Sequence, residues 1–325
     1  MLVRRRLLFA LTASALPLPA YAQQKKMFVI GYLAPVVPPD ARFEHFRQGM
    51  RELGYVEGRD YRMEFRWGEG KLERMPALAA EMVKLKPDVI VARSSPSVLA
   101  LKKATTTIPI VFPLSSDPVG DGIVQSLAHP GGNLTGLSLM APELEAKRLQ
   151  LLHDVLAGRP GRVSVLWNPS YTGMAARFRE TRVAGPNVGM DIRSVEIRDA
   201  REMEAAFEAI TRDPPAGLVL LVDPLTYSMR ARIVEFAREK RIPAIYETRD
   251  FTDAGGLLSY GPNSDAQFRR AAYYVDRILK GAKPGDLPVE QPVKIELIVN
   301  RATARALGIT MPQSILSTAD QVIDN

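Results

Sequence analysis

The chain has no cysteine among its 325 residues. That absence excludes disulfides, thiolate metal sites, a cysteine nucleophile and a lipid anchor on an N-terminal cysteine. Histidine is scarce. His45, His129 and His153 lie far apart without ligand-like spacing, so they read as surface or capping residues and no metal is expected. After residue 22 no stretch approaches the roughly 18 apolar residues of a membrane helix. No block of five like charges occurs, so no nucleic-acid partner is expected. Catalytic signatures are missing as well. There is no Gly-x-Ser-x-Gly, no His-Glu-x-x-His and no P-loop, and Gly120-Asp121-Gly122 runs into Gln125 where a dinucleotide fingerprint needs glycine. No cofactor is expected, and no carboxylate pair stands out by spacing as acid and base.

What is present begins with a leader. Arg4, Arg5 and Arg6 form a positive segment, residues 7–16 are apolar, and Ala20-Tyr21-Ala22 supplies the small-x-small pattern of a signal-peptidase site. A buried helix would not open on three arginines and close on Pro17 and Pro19. Export with cleavage after Ala22 is therefore expected. Arg5-Arg6-Leu7-Leu8 loosely resembles a twin-arginine signal, and the sequence leaves the export route open. Without a lipid anchor, an exported soluble protein is best retained in a periplasm. The precursor carries 43 basic and 36 acidic residues for a net +7; the leader holds three arginines and no acid, leaving +4 on 303 residues. That length suffices for two domains, and so dilute a charge says little about partners.

Short apolar runs alternate with helical patterns. Residues 27–33 read as a buried strand. Phe43, Phe46, Met50 and Leu53 then mark one helical face closed by Gly54. Strands are expected at 61–67, 88–92, 108–112 and 134–139, with helices at 72–85, 96–104 and 142–156. The pattern restarts with strands at 162–167, 191–197, 217–222 and 243–247 and helices at 172–184, 201–211 and 226–240. Such βαβα repetition predicts two successive, mostly parallel sheets of similar size, each covered by helices on both faces. In the tail, strands are expected at 257–260 and 293–299. Ser264 and Gln267 read as a capping box for a helix with Phe268, Ala272, Val275 and Leu279 on one face. A return of these elements to the first unit would create a hinge and a cleft.

Ligands of open α/β sheets sit beyond the carboxyl ends of the strands. The candidates there are Ala34 and Pro35, then Ser94, Ser95 and Ser97, then Ser116 and Asp117. The second half offers Asn168, Tyr171, Asp223, Tyr246, Glu247 and Phe251. Ser95 as N-cap and Pro96 as first helical residue would present free N–H groups and hydroxyls to a carboxylate, or serve only as a cap. Asp117 either caps a helix or meets a ligand ammonium. Asp223 and Glu247 suit a cation, while Tyr171, Tyr246 and Phe251 suit an apolar or aromatic group.

Several motifs, taken in order, resemble one family. They are Ile30-Gly31-Tyr32-Leu33, Phe46-Arg47-Gln48-Gly49 with Glu52-Leu53-Gly54-Tyr55-Val56-Glu57-Gly58, Pro130-Gly131-Gly132-Asn133-Leu134-Thr135-Gly136 and Val165-Leu166-Trp167-Asn168-Pro169. Pro243-Ala244-Ile245-Tyr246, the run Gly255 to Gly261, and Leu287-Pro288-Val289-Glu290-Gln291-Pro292 continue the series. Together they resemble the ABC-transporter substrate-binding proteins typified by tryptophan- and tyrosine-binding members. The resemblance implies a type I periplasmic binding fold: two Rossmann-like, doubly wound lobes joined by a hinge of three strands. It places a ligand carboxylate on Ser94, Ser95 and Ser116. Asp117 falls in the family's Asp-Pro-Val stretch, whereas Arg93 and Ser115 replace residues that are small in many members.

The expected lobes are 27–137 with about 260–290, and about 138–259 with 291–325. The expected function is a monomeric periplasmic receptor that captures a small carboxylate and delivers it to the membrane permease of an ABC importer. Its ligand would be an aromatic or branched amino acid, or an aromatic acid. Rival readings are an exported two-lobed hydrolase or isomerase using Asp223 with Glu247, and a binding protein serving a chemoreceptor.

Overall fold

The computed structural model describes residues 26–324. The leader and its cleavage site lie outside the described residues. The first half runs β1 (Phe28–Ala34), α1 (Phe43–Glu52), β2 (Tyr61–Trp67), α2 (Met75–Lys84), β3 (Val89–Ala92), α3 (Ser95–Ala104), β4 (Ile110–Ser115), β5 (Leu134–Ser138) and α4 (Ala141–Val155). The second continues with β6 (Gly161–Trp167), α5 (Met174–Ala184), β7 (Met190–Glu196), α6 (Met203–Arg212), β8 (Gly217–Leu220), α7 (Pro224–Ser228), α8 (Arg230–Glu239), β9 (Ala244–Tyr246) and α9 (Arg249–Asp253). The tail holds β10 (Leu258–Pro262), α10 (Ser264–Leu279), β11 (Ile295–Asn300), α11 (Arg301–Ala306), α12 (Gln313–Thr318) and β12 (Gln321–Ile323).

The strands form two sheets, ordered β2-β1-β3-β4-β5 and β12-β11-β10-β9-β8-β6-β7. In the first, the order reverses between β1 and β3. In the second, it reverses in the same way between β6 and β8. Crevices form at such switch points, because the loops leaving two neighbouring strands diverge to opposite faces. All pairings are parallel except β10 with β11. The expected near-equality of the sheets fails. β10, β11 and β12 all extend the second sheet, giving seven strands against five.

Of the tail's helices, α10 returns to the first sheet, and the segment 284–290 after it lies along β5. Helix α10 packs along α1, where a Cβ on Gly49 would lie 2.4 Å from the Arg269 carbonyl oxygen and 2.8 Å from Ala272 Cβ. A side chain at Gly49 would force these helices apart. Phe268, Ala271, Ala272 and Val275 of α10 share one buried cluster with Tyr32, Phe43, Phe46 and Met50. The chain thus passes between the sheets after β5, after β10 and before β11. The third passage rests against the first sheet, where Ser138 N–H donates to the Glu290 carbonyl at 2.9 Å and Glu290 N–H to Gly136 at 3.1 Å.

Three local expectations need correction. The cap of α10 is Asn263, whose side chain accepts from Ala266 N–H. Gln267 instead donates to the Ser138 carbonyl at 2.9 Å, so no Ser264–Gln267 capping box forms. The helix expected over 226–240 begins earlier and breaks at Met229, because Asp223 and Thr226 build a capping box ahead of Pro224. Finally, α3 starts at Ser95, one residue early, and its cap position is Ser94 without a side-chain capping bond.

Candidate functional site

A cavity of about 70 Å³, open on one side to solvent, lies between the carboxyl ends of the two sheets. The first half contributes Pro35 and Val36 after β1, Arg93, Ser94 and Ser95 after β3, and Ser116 after β4. The second contributes Tyr171 after β6, Asp223, Pro224 and Tyr227 after β8, and Glu247 and Thr248 after β9. Both switch points therefore open on one space.

Ser94 is held at φ +75° and ψ 154°, a region that glycine favours. Such a residue costs about 1–3 kcal/mol and persists only where its surroundings impose it. Its buried Oγ makes no hydrogen bond of ordinary length and angle among the described residues, and it lies beside the Tyr171 hydroxyl, whose pKa burial raises and Ser94 partly lowers. The α3 ladder begins with Val98 N–H donating to the Ser94 carbonyl at 3.2 Å, so the Ser95 and Ser97 amides precede it. This end of a ten-residue helix presents partial positive charge beside the Ser94 hydroxyl. Ser95 is otherwise engaged. Its Oγ donates to Asp121 at 2.8 Å and lies 3.4 Å from Ser115 Oγ.

Across the cavity, Asp223 is 4% exposed. Its Oδ1 accepts from Thr226 N–H and Oγ1, both at 2.8 Å, and its Oδ2 accepts from Asn168 Nδ2 at 2.7 Å. Burial raises its pKa despite these bonds. Among the described residues no cation pairs with it. Glu247 differs. It sits 2.7 Å from Arg177, which also meets Glu145 at 2.7 Å, and Glu145 in turn pairs with Arg148 at 2.8 Å. Burial alone would raise the Glu247 pKa, but the Arg177 and Arg148 charges outweigh it and hold the carboxyl low. The four side chains are nearly or fully buried and mutually neutral, so Glu247 belongs to a structural network under the cavity wall.

Arg93 bonds Asp40 at 2.6 Å, and Asp40 accepts from Tyr32 Oη at 2.5 Å. Burial lowers the Arg93 pKa, but Asp40, with Tyr32 and Tyr227 beside it, more than restores it and keeps the guanidinium charged. The Arg93 and Arg42 guanidinium carbons stand 5.5 and 4.7 Å from the Tyr227 ring centre.

Of the residues expected from sequence, Pro35, Ser94, Ser95, Ser116, Tyr171, Asp223 and Glu247 reach the cavity wall. Six others lie off it. Ala34 is fully buried inside β1. Ser97 points to Met75 Sδ at 3.5 Å. Asp117 accepts from Gly120 N–H at 2.8 Å, closing a turn. Asn168 spends its amide on Asp223 and Ser170. Tyr246 and Phe251 stack on each other at 4.8 Å in the core beneath. The sequence reading missed Arg42, Tyr227 and Thr248, which helix starts and an extra helical turn bring to the cavity. It met Arg93 only as a departure from a family pattern.

The two-sheet architecture with its shared cavity is that of the type I periplasmic binding proteins, sugar- and leucine-binding members included. The chain belongs to the ABC transporter substrate binding protein family, whose model matches residues 38–323. A tyrosine-binding protein of Clostridioides difficile (strain R20291) is 26% identical over 287 residues, 88% of this chain and 82% of that protein. The ABC domain of a Streptococcus pneumonia protein in complex with L-Trp overlays with a TM-score of 0.85 at 24% identity, over 92% of this chain and all of that one. A ligand-free, open substrate binding protein of Clostridium difficile gives 0.64 at 23% identity, with the same coverage of both chains. Members of this family are binding proteins rather than enzymes. The rival reading of Asp223 and Glu247 as an acid–base pair gives way, since one caps a helix and the other neutralises Arg177.

Proposed function

We propose that the protein is the exported, periplasmic receptor of an ABC importer and captures an aromatic or branched α-amino acid between its lobes for a membrane permease. The moving bodies in this reading are 27–137 with about 260–290, and about 138–259 with 291–325. The ligand carboxylate lies at the N-terminus of α3 against Ser94, with Ser116 beside it. Its ammonium meets Asp223, and its side chain packs among Tyr171, Tyr227, Val36 and Leu114. The observation that carries the reading is the pair of unmet needs facing each other. Ser94 offers a buried hydroxyl that lies beside the Tyr171 hydroxyl but makes no ordinary hydrogen bond among the described residues, and Asp223 offers a buried carboxylate without a counter-cation among them. A buried charge of that kind is costly until paired. A related chain known as a tyrosine-binding protein supports the ligand class.

Closing the lobes from 1:99 to 99:1 needs about 5.5 kcal/mol of preference for the closed form. A desolvated ion pair, a charge-assisted contact at a helix end and a stacked ring are of that size together. A thermal-shift screen of the proteinogenic amino acids and matching aromatic acids tests the proposal. A true ligand at a hundredfold excess over its Kd stabilises the protein by about 2.7 kcal/mol. Flat results across the screen reject this ligand class.

A further inference from the structure

Arg42 precedes α1 in the first lobe, and Asp250 lies on α9 in the second, 208 residues further along the chain. Their side chains are directly bonded across the cleft. Tyr227 Oη donates to the other oxygen of Asp250 at 2.8 Å. The Tyr227 ring in turn receives Arg42 and Arg93 from the first lobe and, at 4.8 Å, Arg230 from its own. Arg42 has a side-chain exposure of 7%; its guanidinium also lies 3.7 Å from Asp265, where the chain crosses between lobes, and its backbone N–H donates to Asp40 at 3.2 Å. Asp250 stands behind the cavity wall rather than in it. Arg42 and Tyr227 line one edge of the cavity, so the bond to Asp250 joins the lobes at the margin of the ligand space.

We propose that Arg42, Asp250 and Tyr227 form a latch that stabilises the closed lobes on its own, so that it sets how long the ligand is retained. The inference rests on the binding-protein reading above. A ligand can shift lobe closure only by its differential affinity for the two states. A protein-made contact present only in the closed state lowers what the ligand must supply. It acts on release, because the latch must break before the ligand can leave. These are positioning residues acting through lobe geometry.

The absence of cysteine makes a clean test available. Val56→Cys and Val183→Cys place one exposed thiol on each lobe for fluorescent labelling, with no competing thiol in the chain. Single-molecule energy transfer then reads lobe separation without ligand. The latch predicts a closed population in the otherwise unaltered protein that falls about tenfold in Asp250→Asn and in Arg42→Met, and returns in Arg42→Lys. It also predicts that L-tyrosine leaves Asp250→Asn about tenfold faster in stopped flow. A wholly open ligand-free protein, or identical distributions in all variants, overturns the latch. Failure of L-tyrosine and L-tryptophan to shift any distribution overturns the ligand reading instead, while the ligand-free comparison still decides the latch.

Discussion

Asn168 donates to Asp223 at 2.7 Å, which ties the loops after β6 and β8 side by side at the second switch point. The bond leaves Asp223 ionisable but without a cation, and aims it at the cavity. Asp223→Asn is expected to weaken an α-amino acid by about 2–5 kcal/mol, the range for truncating one partner of a buried charge pair. The matching acid without an amino group should lose far less. Calorimetry on both compounds checks the difference, and equal losses would move the ammonium site elsewhere.

Ser94 and Ser116 should each contribute through charge-assisted hydrogen bonds. Ser94→Ala and Ser116→Ala are expected to weaken binding by about 1–3 kcal/mol each. Unchanged affinity in both would remove the carboxylate from that loop.

The backbone at Ser94 gives a separate expectation. Ser94→Gly relieves a positive φ but loosens the unfolded chain, leaving a net gain near 1 kcal/mol in ligand-free stability. Affinity should fall in the same variant. Denaturant melts paired with calorimetry check both signs.

Glu247 contributes one acid-sensitive part of the stability, alongside Asp250, whose carboxyl Arg42 also holds low against burial. The Glu247 carboxyl is held low: burial opposes ionisation, but Arg177 and Arg148 outweigh it. A carboxyl with a lowered native pKa stabilises the fold above its unfolded value near 4.3 and loses that contribution as pH falls through the native value. Melting temperature should therefore drop on acidification below about pH 4.3. Glu247→Gln leaves Arg177 half-paired, and should cost about 3–5 kcal/mol at neutral pH and flatten that acid limb. A melting-temperature series against pH for both proteins settles the sign.

Much of the fold was legible because period and punctuation agree along the chain. The apolar run ending at Leu33 and the helical face Phe43, Phe46 and Met50 landed within a residue or two of β1 and α1. Taking the residues that follow each expected strand was enough to reach the wall residues Ser94, Ser116, Tyr171 and Asp223, while the strand order itself came only from the structure. What stayed hidden depends on contacts between distant segments. Nothing local marks Arg42 as reaching Asp250, or Glu247 as the partner of Arg177. Tyr246 and Phe251 illustrate the opposite error. An aromatic after a strand reads equally well as ligand stacker or as core, and only the fold separates Tyr171 on the cavity wall from Tyr246 and Phe251 beneath it.

The most direct measurement is a calorimetric titration of L-tyrosine, L-tryptophan and L-leucine into the purified protein, followed by recovery of the bound compound. A zwitterion held between Ser94 and Asp223 predicts saturable one-to-one binding for at least one of the three and recovery of that compound unchanged. Dilution heats alone for all three, or recovery of an altered molecule, would contradict it.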